Sequence, residues 1–143
     1  MMKDGIIQSQ ITLIAFKAVS FHYTCTNENA KDLKPEFELR LGNLLINDSP
    51  NRFAKVFYVD LKIPNPQFNE TINIKTEYHT IFESAHQIDT EFLDSDFAKI
   101  SAPAIGFPYL RAFVSTLSIQ AGLAPIILPS INFVQFEKEA EKV

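Results

Sequence analysis

The sequence has few of the residues that form disulfides and phosphate-binding loops, and it lacks the long apolar run of a membrane span. Its 143 residues include no tryptophan, one cysteine and four glycines. A single thiol, Cys25, cannot form a disulfide within the chain, which is typical of a reducing compartment. Phosphate-binding loops need clustered glycines, and the four here stand far apart. No apolar run approaches the about 18 residues of a membrane-spanning helix, so we expect no membrane insertion.

The charge balance is acidic. Asp and Glu number 17 against 13 Lys and Arg, for a net charge of -4 and a pI near 5.3. Because a nucleic-acid binder presents a basic face, this composition argues against a nucleic-acid partner. Residues 1–5 lead directly into an alternating pattern without the apolar core of a signal peptide, so we expect a cytoplasmic protein.

Residues that could bind a metal or catalyse a reaction are present, but not in working arrangements. His79 and His86 are seven positions apart on a predicted strand, so they face opposite sides of it. His22 stands apart from both, and no zinc-binding spacing occurs. Cys25 has no neighbouring base in the sequence to activate its thiol. We therefore expect no metal, no cofactor and no enzymatic activity.

The first part of the chain predicts an antiparallel sheet over about residues 6–86. Four segments alternate apolar with polar residues: 6–21, 37–41, 53–63 and 72–82. The alternation of the first segment breaks at Ile14 and Phe16, which indicates a long strand with a bulge. Polar residues 24–35 are too many for a hairpin and predict a crossover connection.

The second part predicts one long and one short helix, over about residues 102–142. Prolines at 103 and 108 suit a first helical turn, and Gly122 suits a C-terminal cap. Asn132, followed by Gln135, suits the start of the short helix. The long helix has so few charges that we expect its own sheet and another subunit to cover it. The predicted fold is a single α+β domain over residues 1–143, with both helices packed on one face of the sheet.

Aromatic content exceeds what one small core requires. The chain has 13 phenylalanines and 4 tyrosines. Most of these rings are expected to pack in the core or between subunits. Surplus apolar surface on such a chain nevertheless favours association or binding as its function.

The order of motifs in the second part resembles the SecB export chaperones. Phe107-Pro108-Tyr109 and Arg111 are followed by Pro125, Pro129 and then Asn132-Phe133, the order found in that family. The resemblance covers nearly the whole chain and implies an ATP-independent holdase, which binds unfolded or nascent polypeptides in apolar grooves. It also implies a homotetramer, built as a dimer of dimers.

The resemblance further implies positions for the two surfaces of such a protein. The client-binding groove would lie between the crossover, the second strand and the second helix, with these residues: Leu33, Phe37, Leu39, Leu41, Phe133 and Phe136. The first helices would pack between dimers, with these residues: Phe107, Tyr109, Leu110, Phe113, Val114 and Leu117. For any one groove residue, packing within its own domain is an equally good interpretation.

One departure from the family concerns the motor protein SecA. Export members carry acidic side chains, which dock SecA, at the positions of Ala18 and His22. The resemblance therefore leaves SecA open as a partner and keeps a dedicated chaperone of a toxin-antitoxin system, which holds the antitoxin, as an alternative. From other classes, a carrier of small apolar ligands predicts an enclosed pocket, and a scaffold predicts apolar contacts without a free groove.

Overall fold

A computed structural model of the protein describes residues 11–27 and 32–141. Within them, the chain forms an antiparallel sheet of four strands in the order β1-β4-β3-β2, followed by helices. The elements are β1 (Ile11–Thr26), β2 (Glu36–Leu45), β3 (Arg52–Asn65), β4 (Glu70–Ser84), α1 (Thr90–Leu93), a π-helical segment (Phe97–Ser101), α2 (Ala102–Gln120) and α3 (Phe133–Glu141). The predicted α+β class and antiparallel sheet are confirmed, while the predicted strand residues 6–10 lie outside the described residues.

The crossover is confirmed because β1 and β2 form opposite edges of the sheet. The chain must pass from one edge to the other between Thr26 and Glu36. The strand β1 runs to Thr26, five residues beyond the predicted end at Phe21. Pairing with β4 continues through Cys25 and Thr26, which explains why these polar residues are extended rather than part of the connection.

Two bulges explain the broken alternation of β1. Its pairing with β4 shifts between Leu13 and Ala15 and again between Ala18 and Ser20. A bulge places one extra residue on one strand, so the apolar phase changes after each one. As a result Leu13, before the first bulge, and Phe21, after the second, pair with residues of β4 that face the helices.

Prolines do not end β3 where the sequence predicts. The alternation predicts a strand over residues 53–63, which ends before Pro64 because proline cannot donate to a sheet. In the structure β3 extends to Asn65, and Pro64 pairs in register with Thr71 of β4. The pairing of β3 with β2 reaches only Lys62. Pro64 thus lies where β3 has a partner on one side only, a place where a sheet tolerates a missing N–H.

The helices cover one face of the sheet and bury two apolar clusters. The larger cluster joins the middle of β3 and β4 to α2, with Phe57, Tyr78, Leu110 and Val114 among its buried side chains. The smaller cluster contains Phe53, Phe82, Ile88 and Phe97, with Phe92 packed beside it. The sequence of residues 89–96 is acidic and has no apolar period, which predicts an irregular segment, but Thr90–Leu93 within it form α1. Its N-cap Asp89 accepts a hydrogen bond from the N–H of Phe92 at 2.8 Å.

Gly106 allows α2 to lie directly on the sheet. A Cβ added at this position would lie 2.8 Å from Thr80 Oγ1 and 3.2 Å from Phe57 Cε2. Two positions further on, Pro108 lies inside the helix rather than at its start. The carbonyl that Pro108 leaves without a helical partner belongs to Ala104, which is exposed to water.

The C-terminal end of α2 and the following linker, residues 121–132, are tied together by hydrogen bonds. Gly122 has a φ of 89°, and the N–H of Leu123 donates to the carbonyl of Ser118 at 2.9 Å, as in a glycine-capped helix end. Ser118, which the sequence places on a weakly polar outer side, is buried, and its Oγ accepts from the N–H of Ile126 at 2.9 Å. Arg111 Nε donates to the carbonyl of Leu128 at 3.1 Å.

The start of α3 uses half of the predicted capping arrangement. Asn132 Oδ1 accepts a hydrogen bond from the N–H of Gln135 at 3.1 Å. The Gln135 side chain does not reach back to the cap but donates to Glu139 Oε1 at 3.3 Å. The helix is held to α2 by the rings of Phe133 and Phe107, whose centroids are 5.6 Å apart.

Candidate functional site

Two open grooves lie beside β2 on the face that the helices cover. The first, here called the linker groove, has a volume of about 620 Å³. Residues 123–129 of the linker form one wall, and Phe37, Leu61, Ile63 and Ile72 of the sheet form the floor. Asn65 is its one polar side chain among the described residues, and none of its lining residues is charged. Because Arg111 and Ser118 hold the linker by hydrogen bonds, this wall has a defined position.

The second groove, here called the α3 groove, has a volume of about 580 Å³. Leu39 and Leu41 of β2 and Phe136 and Ala140 of α3 form its apolar part. Unlike the linker groove, it also contains charged residues: Arg40, Lys55, Asp94, Lys99 and Glu137. The two grooves therefore have the same strand in common but differ in chemistry.

The alternation of β2 connects the two grooves. Phe37 lines the linker groove, while Leu39 and Leu41, two and four positions further on, line the α3 groove. The strand also borders open space, because among the described residues it pairs only with β3. The other edge of β2 thus presents unpaired N–H and C=O groups next to apolar surface. An extended peptide could pair with this edge and place alternate side chains in the grooves.

A buried lysine lies in the α3 groove. Lys55 is 4% exposed, and its Nζ donates to Asn43 Oδ1 at 3.1 Å. Burial lowers the pKa of Lys55 from 10.5 to about 8, with Glu137 opposing and Lys99 reinforcing that change. The ammonium is still mainly charged at pH 7, so this groove holds a positive charge that is shielded from water.

The structure brings together four of the six predicted groove residues. Phe37 lines the linker groove, and Leu39, Leu41 and Phe136 line the α3 groove. Leu33 is half-buried and lines neither groove. Phe133 also lines neither, because its ring is buried between those of Phe107 and Phe136. A ring packed in this way stabilises the fold, and its surface is not free for a ligand.

Of the six predicted interface residues, three are buried in their own chain and three are at least partly exposed. Phe107, Leu110 and Val114 are buried in the core of their own chain. Such side chains have no surface left for another subunit. Phe113 and Leu117 are half-buried, and Tyr109 is exposed.

An exposed apolar patch extends around Tyr109 to β1. The ring of Phe16, which is 55% exposed, stacks on Tyr109 with centroids 4.9 Å apart. Ile105, one turn before Tyr109 on α2, is also exposed. Phe16, Tyr109 and Ile105 form the apolar patch that is available to a second subunit. The bulge residues Ile14 and Val19 of β1 are exposed as well.

The opposite face of the sheet is polar and of mixed charge. A depression of about 380 Å³ there is lined by both acidic and basic residues, among them His22, Glu38, Asp60 and Lys75. Ala18, the other position where the SecA-docking family members are acidic, pairs with Tyr78 of the buried face, whereas His22 pairs with Lys75. The bulge at Val19 thus separates the two positions onto different faces.

Among residues 11–27 and 32–141, no cluster of three or more His, Cys, Asp or Glu side chains has a metal-binding arrangement. Over the same ranges, no helix has the length and hydrophobicity needed to cross a membrane.

Sequence reasoning missed the linker and Lys55. The signal for the linker was its run of apolar residues between Pro125 and Pro129, which a surface loop does not need. The signal for Lys55 was its phase, because it stands two positions from both Phe53 and Phe57 on the apolar side of β3.

Comparisons with known proteins point to one family. The family model of preprotein translocase subunit SecB matches residues 4–142. An uncharacterised protein of Methanocaldococcus jannaschii is 30% identical over 98 residues, and this match spans 67% of the chain and 61% of that protein. A protein-export protein SecB of Desulfotalea psychrophila is 24% identical over 115 residues, or 80% of the chain and 72% of that protein.

A solved structure shows the same fold. A SecB-like chaperone of Mycobacterium tuberculosis, solved in complex with a ChAD peptide from an antitoxin, superposes with a TM-score of 0.68 at 15% identity. The superposition covers 92% of this chain and 97% of that chain. Since the family model matches nearly every residue, the chain belongs to the SecB family.

Proposed function

We propose that this protein is an ATP-independent holdase chaperone, which binds unfolded or nascent polypeptides. The observation that carries this proposal is the pair of open apolar grooves along the free edge of β2, in a chain of the SecB family. An unfolded client offers apolar side chains and unpaired backbone groups in no fixed sequence. Apolar grooves and a free strand edge bind these two features without chemistry or nucleotide.

The binding mechanism follows from the geometry of β2. A client segment in extended conformation pairs with the edge of the strand through main-chain hydrogen bonds, which do not depend on sequence. Its apolar side chains enter the linker groove near Phe37 and the α3 groove near Leu41. Fully burying one such side chain is worth about 1.5–3 kcal/mol, so a few contacts give releasable binding.

Assembly would increase this affinity. We propose a cytoplasmic homotetramer, a dimer of dimers, in which several sets of grooves act on one client through effective concentration. The apolar patch supports this assembly, because Phe16 and Tyr109 stack on each other at the surface of α2 and β1. The predicted interface residues Phe113 and Leu117, which keep partial exposure, lie on the same helix.

A variant of the linker groove tests the proposal. Ile127 lines this groove and is 66% exposed, so Ile127→Asp leaves the core intact. A carboxylate in an apolar groove should weaken the binding of an unfolded client about tenfold. Phe68→Asp is the matched control, because Phe68 is 60% exposed and lines neither groove. The measurement is suppression of aggregation of a slowly refolding protein; equal suppression by both variants would remove the linker groove from the site.

A dedicated antitoxin chaperone is the second candidate. It is favoured by Ala18 and His22, which replace the acidic SecA-docking positions and which the bulge of β1 places on different faces. The M. tuberculosis chaperone of the same fold was solved with a peptide from an antitoxin. Binding to purified SecA would support export, whereas selective binding to one antitoxin, with no binding to SecA, would support the dedicated role.

A small-ligand carrier is less well supported. A carrier predicts an enclosed cavity, and both grooves beside β2 are open.

A further inference from the structure

We propose that the α3 groove selects client segments that carry an Asp or Glu side chain next to their apolar residues, and that Lys55 binds this carboxylate. The inference rests on the proposed function, since it names the chemistry of the segment that the grooves hold. It makes Lys55 a specificity-determining residue of the site.

The position of Lys55 leaves its ammonium with unused hydrogen-bond donors inside the α3 groove. Its side chain points to the helix-covered side of β3, in phase with Phe53 and Phe57, and lines the α3 groove while being 4% exposed. An ammonium has three N–H donors. Among the described residues, Asn43 Oδ1 is its one hydrogen-bond acceptor. Donor capacity is therefore left over for a ligand.

The charges around Lys55 carry the second step. The basic residues Arg40, Lys55 and Lys99 and the acidic residues Asp94 and Glu137 line the groove. Lys99 Nζ and Glu137 Oε1 pair at 3.7 Å. Arg40 points to the opposite face of the sheet, where its guanidinium lies over the Tyr58 ring at 5.0 Å from the centroid. Of the two lining charges that remain, Asp94 is exposed to water, which screens it, whereas Lys55 is buried. The buried positive charge thus favours a carboxylate over a basic side chain.

The buried ammonium of Lys55 lowers the free energy of unfolding. Removing an ammonium from water destabilises the folded protein, as the lowered pKa of about 8 indicates. An apolar side chain of similar length would fill the same position without this penalty. Charges kept at a loss of stability are concentrated at functional sites, where they are ready to bind an opposite charge.

The register of β2 and β3 gives the spacing of the recognised segment. Phe37, in the linker groove, and Asn43, which pairs with Lys55, are six positions apart on β2. At about 3.3 Å per residue, this is about 20 Å along the strand. An extended client that pairs with β2 would therefore carry its carboxylate about six residues from the apolar side chain in the linker groove.

Two labelled peptides test the inference. The first has a Leu/Phe segment and, after a Ser/Gly spacer, one Glu about six residues from its centre; the second has Gln in place of Glu. Fluorescence anisotropy at pH 7 should give about tenfold tighter binding of the Glu peptide, because hydrogen bonds to a charged partner are the strong ones.

Lys55→Met should make the two affinities equal while keeping the binding of the Gln peptide, and Lys55→Gln should do the same if Lys55→Met does not fold. At pH 9.5, above the pKa of Lys55, the wild-type preference should also be lost.

Lys75→Met is the matched control. It removes the same charge from an exposed lysine on the opposite face of the sheet, so the preference for Glu should remain. Equal binding of the two peptides to the wild-type protein, or an unchanged preference in Lys55→Met, would overturn the role of Lys55 while leaving the holdase proposal intact. Failure of both peptides and of unfolded proteins to bind at all would overturn the holdase proposal and the inference with it.

Discussion

Replacing Lys55 by Met should stabilise the protein, although it removes a hydrogen bond and a charge. The pKa of Lys55 is lowered from 10.5 to about 8, and at 1.36 kcal/mol per pH unit this corresponds to about 3 kcal/mol lost from the free energy of unfolding at pH 7. The hydrogen bond to Asn43 offsets about 1 kcal/mol, but Asn43 is exposed and water can replace the lost donor. We therefore expect Lys55→Met to raise the free energy of unfolding by about 2 kcal/mol.

The pH dependence gives this prediction a second observable. Because the folded-state pKa of Lys55 is below the unfolded value, the unfolded chain binds more protons between about pH 8 and 10.5. The free energy of unfolding of the wild-type protein should therefore rise as the pH increases from about 8 to 10.5, where the folded chain has lost the proton of Lys55. Below about pH 8, the destabilisation by the buried ammonium is fully present. In Lys55→Met, this rise in stability should be absent.

Urea denaturation followed by far-ultraviolet circular dichroism measures both effects, at one fixed protein concentration. Lys75→Met, in which an exposed side chain is changed, should shift the free energy of unfolding by less than about 0.5 kcal/mol. A loss of more than about 1 kcal/mol in Lys55→Met at pH 7 would show that the contacts of the ammonium outweigh its desolvation, and would refute the reasoning.

Three further predictions concern packing and assembly. Gly106→Ala should lower the free energy of unfolding by about 1–3 kcal/mol, because its Cβ would lie 2.8 Å from Thr80 Oγ1. Gly42→Ala is the control, because its Cβ would lie 3.5 Å from the nearest atom, Tyr58 Cε2, and it should not lower the free energy of unfolding. Equal urea midpoints for the two variants would contradict this account of the helix-sheet contact. Tyr109→Asp should break the proposed tetramer without unfolding the chain, as checked by light scattering, and a variant that remained tetrameric would remove Tyr109 from the interface. Val114→Asp should instead unfold the chain, because Val114 is fully buried.

The low charge of α2 predicts that its own sheet and another subunit cover the helix, and the resemblance to the SecB family places Val114 between dimers. The structure places Val114 in the core and leaves Tyr109 at the surface. Periodicity shows that a helix has an apolar stripe, but not which partner covers each part of the stripe.

The sheet was predictable because its signals are local. Alternation located all four strands, and the break at Ile14 indicated the first bulge of β1. The predicted end of β3 at residue 63 is wrong, because proline ends a strand only where a neighbouring strand needs its N–H. Whether a sheet tolerates Pro64 depends on how far β2 extends, which is a long-range property.

The site was predictable in part, because one of its walls is a strand and the other is a linker. The resemblance to the SecB family predicted Phe37, Leu39 and Leu41 as groove residues, and these residues line the two grooves. The wall formed by the linker depends on two hydrogen bonds: Arg111 donates to the carbonyl of Leu128, 17 positions away, and Ser118 accepts from the N–H of Ile126, 8 positions away. Sequence spacing alone does not predict such contacts. The predicted roles of the groove and interface residues, and the single domain, stay predictions.

The most direct test of the central claim is light scattering of the purified protein, alone and with a slowly refolding, aggregation-prone substrate. The account predicts a stable tetramer that forms a defined complex with the unfolded substrate and prevents its aggregation without nucleotide. A monomer or dimer that leaves aggregation unchanged would contradict it.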